Sequence, residues 1–336
     1  MSGCYVRIAG WGKYLPERIM SNAELEAMLD TSDEWIRQRT GITERRVVAP
    51  DETTCSMSVL AAREALERAH VRPDELELVV VATCTPDYAN MPATASLVQH
   101  ALGAERAGAF DLNAVCSGFV YALTAASQFV LTGTHRNVLV IGADAFTRIL
   151  DWQDRSTCVL FGDGAGAVVL QATDQPGGLL SFVLGSDGSG ACSLYVPAGG
   201  SRKPASAQTV ADREHYVKMQ GREVFRFATR VLPASVVQAL AAAGLSTDDV
   251  DLFIPHQANT RIIDAAARRL DLAPRAVFSN VARYGNTSAA SVPVALCEAL
   301  DEGCIRAGDT VVMAGFGSGL SWGTAVWRWQ GSGSER

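Results

Sequence analysis

The sequence predicts a layered α/β fold made of two related halves. Two observations carry that expectation. Apolar runs of strand length alternate with Ala-rich segments of helical period, the pattern of a largely buried sheet covered by helices. A stretch in the first half also returns about half the chain later. Ala65-Leu-Glu-Arg-Ala-His-Val-Arg-Pro-Asp-Glu-Leu-Glu-Leu78 aligns with Ala239-Leu-Ala-Ala-Ala-Gly-Leu-Ser-Thr-Asp-Asp-Val-Asp-Leu252, with Ala65/Ala239, Leu66/Leu240, Ala69/Ala243, Asp74/Asp248 and Leu78/Leu252 identical.

In chain order, the first copy of this repeat reads as a helix end, an Asp-containing turn and an apolar strand within Leu76 to Ala82. Phe110 to Phe119 then runs from a short strand into a long apolar helix that begins near Ser117 and continues toward Leu131. Asn137-Val-Leu-Val-Ile-Gly is a further apolar strand. Gly162-Asp-Gly-Ala-Gly-Ala167 lies between the apolar runs Val159 to Phe161 and Val168 to Leu170, and no helix follows that would hold a pyrophosphate. It reads as a tight backbone passage rather than a nucleotide loop.

The stretch Gln171 to Gly178 is the expected junction, dividing residues 1–174 from residues 175–336. In the second half Phe278 to Asn286 pairs with Phe110 to Cys116, and Asp309-Thr-Val-Val-Met-Ala pairs with the Asn137 strand. Gly315-Phe-Gly-Ser-Gly319 reads as a flexible strand-ending loop able to aim backbone N–H groups at an oxyanion. Halves related in this way bring strand ends together at one cleft.

Composition narrows the class of protein. With 48% hydrophobic and 19% charged residues, the 336-residue chain is ordinary globular material. Its longest apolar runs stop well short of the ~18 residues a membrane span requires, so no span is expected. Met1 to Gly10 has no secretory pattern, and the expected compartment is the cytoplasm. Eight cysteines without a Cys-x-x-Cys pair argue against a zinc cage, and a formal charge of −7 opposes general attraction to nucleic acid.

Three residues stand out chemically. Cys116 sits where a strand turns into a helix, and the positive helix end and its free N–H groups are expected to favour thiolate over thiol. The plainer reading is a small buried cysteine packed behind a glycine. His256 follows the apolar Leu252-Phe-Ile-Pro and enters a loop, whereas His70, His100, His135 and His215 suit surface or capping roles. Asn286 opens Asn286-Thr-Ser in the turn that the repeat matches to that of Cys116; alone it would read as a turn or helix cap. Imidazole and carboxamide can both donate to one oxygen and stabilise charge building on a thioester carbonyl.

These segments taken together resemble the β-ketoacyl-acyl carrier protein synthase III family of the thiolase superfamily. The likeness rests on Ala114-Val-Cys-Ser-Gly-Phe119, Phe161-Gly-Asp-Gly-Ala-Gly-Ala167, Ile254-Pro-His-Gln-Ala-Asn259, Tyr284-Gly-Asn-Thr-Ser288 and Ser321-Trp-Gly323. Thr31-Ser-Asp-Glu-Trp-Ile36 and Arg39-Thr-Gly-Ile42 add to it. The resemblance implies a thiolase-like five-layered αβαβα fold from two duplicated halves, a homodimer, and Cys116, His256 and Asn286 as catalytic residues. It further implies acyl transfer from acyl-CoA to Cys116 and decarboxylative condensation with malonyl-acyl carrier protein, without cofactor or metal, in fatty acid or polyketide chain initiation.

By the same resemblance, the backbone at Cys116 and Ser318 forms an oxyanion hole. Trp35 and Arg155 flank the adenine of coenzyme A with Arg39 nearby, and Gly221, Phe225 and Asn259 line the pantetheine tunnel. Arg261, Arg268 and Arg269 follow His256 on a predicted helix, and a basic face there suits an acidic carrier protein. The sequence departs from the family pattern at Ser318, where Gly is usual, at Val115, where Ala is usual, and at Met91, where a Phe often reaches the partner's acyl pocket.

Other classes stay open at this stage. One is a synthase III-like acyltransferase of specialised metabolism with a different acceptor. Another is a catalytically silent assembly partner. A Cys-His-Asn hydrolase is a third, disfavoured because no protease-type local Cys signature is present.

Overall fold

The computed structural model describes residues 4–331. In chain order the principal strands are β1 (Tyr5–Tyr14), β2 (Leu78–Ala82), β3 (Gly108–Leu112), β4 (Asn137–Asp144), β5 (Gly164–Thr173), β6 (Gly178–Ser186), β7 (Leu252–Pro255), β8 (Thr310–Gly317) and β9 (Ser321–Arg328). The helices that matter for the site are α1 (Asp33–Thr40), α2 (Thr54–Ala69), α3 (Gly118–Leu131), α4 (Gly221–Ala242), α5 (Thr260–Arg269) and α6 (Ser291–Asp301).

One sheet has the order β1-β5-β4-β2-β3, and the other, read in the same direction, β6-β9-β8-β7. An isolated parallel bridge between Phe253 and Val277 stands where β3 would continue the second sheet. Pairing senses also agree. β2 and β4 run parallel, as do β7 and β8, while β1–β5, β4–β5, β6–β9 and β8–β9 are antiparallel. The aligned blocks of the sequence repeat thus fall on β2 with β7 and on β4 with β8.

Strand alternation explains the layering. In β2 the side chains of Leu78, Val80 and Ala82 enter the central core, whereas Val79 and Val81 enter an outer core beneath α2. In β7, Leu252 and Ile254 face the centre and Phe253 faces the layer of α4 and α5. Both faces of β2 and β7 are covered, so these strands read as continuous apolar runs. Phe119, Val120 and Leu123 of α3 and Val292, Ala295 and Leu296 of α6 fill the space between the sheets.

Helix α4 meets the length and composition of a membrane span, but 56% of its most apolar window is buried inside the protein. Phe227, Leu232, Val236 and Leu240 of this helix pack on the second sheet. Its apolar positions are interleaved with charge, so a search for unbroken apolar runs does not find it.

Candidate active site

The two halves build the same turn twice. Asn113 Oδ1 accepts from the Val115 N–H at 3.2 Å, and Asn286 Oδ1 accepts from the Ser288 N–H at 2.9 Å. Val115 and Ser288 both adopt left-handed backbone, with φ of 48° and 51°. A short 3₁₀ turn follows in each half, Val115–Ser117 and Ser288–Ala290, and leads directly into α3 and α6. Within these matched turns Asn286 corresponds to Asn113, and Cys116 to Ala289. A β-branched valine at positive φ is strained, and here the strain sits immediately before the thiol.

Cys116 is 3% exposed, and its Sγ–H donates to Ser288 Oγ at 3.5 Å. Burial pushes the thiol up to about 12; the Ser288 contact acts in the opposite sense and Asp144 adds to the rise. Removal from water thus opposes the pull of the helix terminus toward thiolate. The expectation for the glycines of Gly315 to Gly319 is corrected. Gly315 and Gly317 are buried members of β8, not a flexible loop. A Cβ on Gly317 would lie 2.8 Å from the Cys116 nitrogen, and one on Gly315 would lie 3.0 Å from Ser117 Cα. These residues are small because the turn that carries Cys116 packs directly on the strand.

His256 leaves β7 with its N–H donating to the Ala314 carbonyl at 2.7 Å and its ring edge-on to Phe316, 5.2 Å between centroids. Its Nδ1 lies 2.6 Å from Ser291 Oγ. Burial pulls the imidazole down to about 3, so the ring is neutral across physiological pH. Asn286 is gripped by backbone, its N–H donating to the Leu160 carbonyl at 2.8 Å and its carbonyl accepting from Gly162 at 3.0 Å. With Oδ1 occupied by Ser288, the amide presents Nδ2 as a donor.

Cys116, His256 and Asn286 all line one cavity of about 930 Å³. Trp35, Arg39, Gly221, Phe225, Asn259 and Arg261 line the same cavity. Asn259 caps α5 through Oδ1, which accepts from the Ile262 N–H at 3.0 Å, and the Arg261 guanidinium lies over the Phe225 ring at 5.1 Å. Arg155 is not on the cavity wall; its guanidinium lies over the Trp35 ring at 5.4 Å and bonds the Asp30 carbonyl. Ser318 is not on the wall; its hydroxyl donates to the carbonyl of Leu194, and Leu194 lines the cavity, as does Gly317 beside Ser318. Arg268 and Arg269 sit on the exposed side of α5, Arg269 donating to the Thr229 carbonyl at 2.6 Å. Met91 is 79% exposed and outside this cavity.

Several contributors escaped the sequence reading. Ser288 and Ser291 touch Cys116 and the His256 imidazole but look like ordinary turn and helix-start residues. Asp144 ends β4 fully buried, accepting from Thr83 and Thr85 hydroxyls, from the Cys84 and Thr85 N–H groups, and from the Ala289 N–H at 3.0 Å. It ties the first half to the turn that carries Asn286. Among the described residues no cluster of three or more His, Cys, Asp or Glu side chains could hold a metal ion.

The family described as 3-oxoacyl-[acyl-carrier-protein (ACP)] synthase III matches residues 110–188, and its C-terminal counterpart matches residues 240–329. A β-ketoacyl-[acyl-carrier-protein] synthase III of Symbiobacterium thermophilum is 56% identical over 324 residues, 96% of this chain and 98% of that protein. The chain belongs to the β-ketoacyl-[acyl carrier protein] synthase III family. Solved relatives agree in shape. The Thermus thermophilus synthase III is 48% identical with a TM-score of 0.89, covering 97% of this chain and 99% of that one. A priming β-ketosynthase of a polyketide biosynthetic pathway is 40% identical with a TM-score of 0.89, covering 97% of both chains. As a synthase III family member, the chain has the five-layered αβαβα thiolase fold of two duplicated halves. It is a condensing acyltransferase of fatty acid chain initiation.

Proposed function

We propose that Cys116, His256 and Asn286 are the catalytic residues of this synthase, with acyl-CoA as donor and malonyl-acyl carrier protein as acceptor. The observation that carries the reading is their convergence on one cavity from three distant segments. Cys116 Sγ attacks the acyl-CoA carbonyl, the bond from that carbonyl carbon to the coenzyme A sulfur breaks, and coenzyme A leaves as the thiol carrying the cysteine proton. N–H groups of Cys116 and Ser318 hold the oxyanion. In the second step the malonyl C–CO₂⁻ bond breaks, carbon dioxide departs, and the electron pair passes onto the thioester oxygen. The imidazole and Asn286 Nδ2 stabilise that enolate. Its α-carbon then attacks the acyl-Cys116 carbonyl and expels the Cys116 thiolate. The steps as written call for no metal or prosthetic group.

Trp35, Arg39, Gly221, Phe225 and Asn259 suit coenzyme A, Arg155 reaching the adenine from its place on the Trp35 ring. Arg261, Arg268 and Arg269 suit the acidic carrier protein. We assign a homodimer in the cytoplasm, with Met91 reaching a partner's acyl pocket. Support comes from β3, an edge strand with a single neighbour, and from exposed Phe110, Tyr88 and Met91. The two units are residues 1–174 and 175–336, whose sheets draw on β1–β5 and β6–β9. Met91 in place of Phe bears on which acyl chain fits, and the alternative is a synthase III-like acyltransferase of specialised metabolism with a different acceptor.

Intact-protein mass spectrometry after incubation with short, branched and aromatic acyl-CoAs tests the first step: a hydroxylamine-sensitive adduct on Cys116 is expected, and no adduct with any donor would defeat the reading. Carbon dioxide release from malonyl-acyl carrier protein distinguishes condensation from transfer to another acceptor.

A further inference from the structure

We infer that Ser291 is a positioning residue that fixes the tautomer of His256, placing the ring proton on Nε2 and making the imidazole a donor toward the cavity. The inference rests on the reading of His256 as an enolate-stabilising group and deepens it.

A neutral imidazole has one N–H and one lone pair, and its chemistry depends on which nitrogen faces the substrate. With the proton on Nδ1, the cavity would meet a base able to take the Cys116 proton. With the proton on Nε2, it meets a hydrogen-bond donor. The Nδ1 partner decides. That partner is the Ser291 hydroxyl at 2.6 Å, and both residues are 1% exposed, so exchange with bulk water does not blur the contact.

The hydroxyl proton has one evident destination. Buried helix hydroxyls elsewhere in the chain donate backward to a carbonyl four residues earlier, as Ser58 does to Thr54 and Ser127 to Leu123, both at 2.7 Å. Ser291 opens α6, and among the described residues its hydroxyl makes no such bond; its side-chain partner is Nδ1 of His256. The Ser291 O–H therefore donates to Nδ1, and the proton belongs on Nε2. Among the described residues no carboxylate is hydrogen-bonded to the ring to pull a proton onto Nδ1, and Phe316 packs against it in a T-shaped arrangement.

Two donors, Nε2–H of His256 and Nδ2–H of Asn286, then face the cavity that holds Cys116. Such a pair serves the enolate step, whereas loading of Cys116 proceeds without His256 as base. Ser291 acts through His256 and touches neither substrate nor nucleophile.

The test is a ¹⁵N–¹H correlation spectrum of ¹⁵N-histidine-labelled full-length protein, with the His256 signals assigned by their absence in His256→Ala. The Nε2–H pattern is expected for wild type, and an Nδ1–H pattern would overturn the inference. Ser291→Ala is expected to give mixed tautomers, to lower malonyl decarboxylation about 100-fold and to leave acyl loading within about twofold. Ser291→Thr, which keeps the hydroxyl, restores both the spectrum and the rate. A pure Nε2–H tautomer in Ser291→Ala would also overturn the inference. Unchanged decarboxylation in His256→Ala would instead remove the reading of His256 beneath it, a failure recognisable because the wild-type spectrum would still show Nε2–H.

Discussion

At Cys116 two physical effects oppose each other, and their balance can be measured. The N-terminus of α3 favours the thiolate, while burial raises the thiol to about 12. Only the thiolate alkylates, so the rate of iodoacetamide modification of Cys116 is expected to rise about tenfold per pH unit from about pH 7 to 9 without levelling. A plateau near neutrality would show the helix end prevailing. The role proposed for Asn286 separates the two chemical steps. Asn286→Ala is expected to leave acyl loading within about twofold while slowing condensation by about 100-fold or more, since only the second step builds an enolate. Single-turnover loading and overall product formation report the two steps, and equal losses in both would break the assignment.

Elements set the site by approach distance and by buried anchors. Strand β8 lies so close to the nucleophile turn that Gly317→Ala is expected to destabilise the protein by about 1–3 kcal/mol in urea unfolding and to slow Cys116 loading. Asp163, in the glycine-rich passage before β5, is fully buried and accepts from the Val48 and Thr147 N–H groups at 2.8 Å and from the Thr147 hydroxyl at 2.5 Å. It staples three segments together, which explains that motif without a nucleotide. Burial raises its carboxyl from 3.8 to about 6, although the hydrogen bonds pull the other way. The folded state therefore binds more protons than the unfolded state between these values. The contribution of Asp163 is fully present below its unfolded value and is lost as pH rises through the folded one. Wild-type stability relative to Asp163→Asn is expected to fall from pH 4 to pH 6, a trend that denaturation midpoints across that range would show or refute.

For the whole molecule, the central question is how two halves make the one cavity in which the proposed catalytic residues meet. The first supplies Cys116 and the second supplies His256 and Asn286, while Asp144 and Ser288 couple the halves across the middle layer. The proposed dimer extends this to a second copy through β3. Phe110→Asp on that edge is expected to yield monomers in sedimentation velocity, and an unchanged dimer would move the interface elsewhere.

Local pattern was enough for much of this. Alternation and the repeat made the layered, duplicated fold legible, because a two-sided buried strand and its helix leave a periodic apolar signature. The three motifs of Cys116, His256 and Asn286 were legible because each joins an apolar strand or helix to a short polar turn. Packing decided the rest: the burial of Cys116, the hydroxyls of Ser288 and Ser291 beside Cys116 and His256, Met91 and Ser318 lying off the cavity wall, and Arg155 resting on Trp35. These depend on distances and solvent exclusion between residues far apart in the chain, quantities that exist only once the two sheets close around α3 and α6.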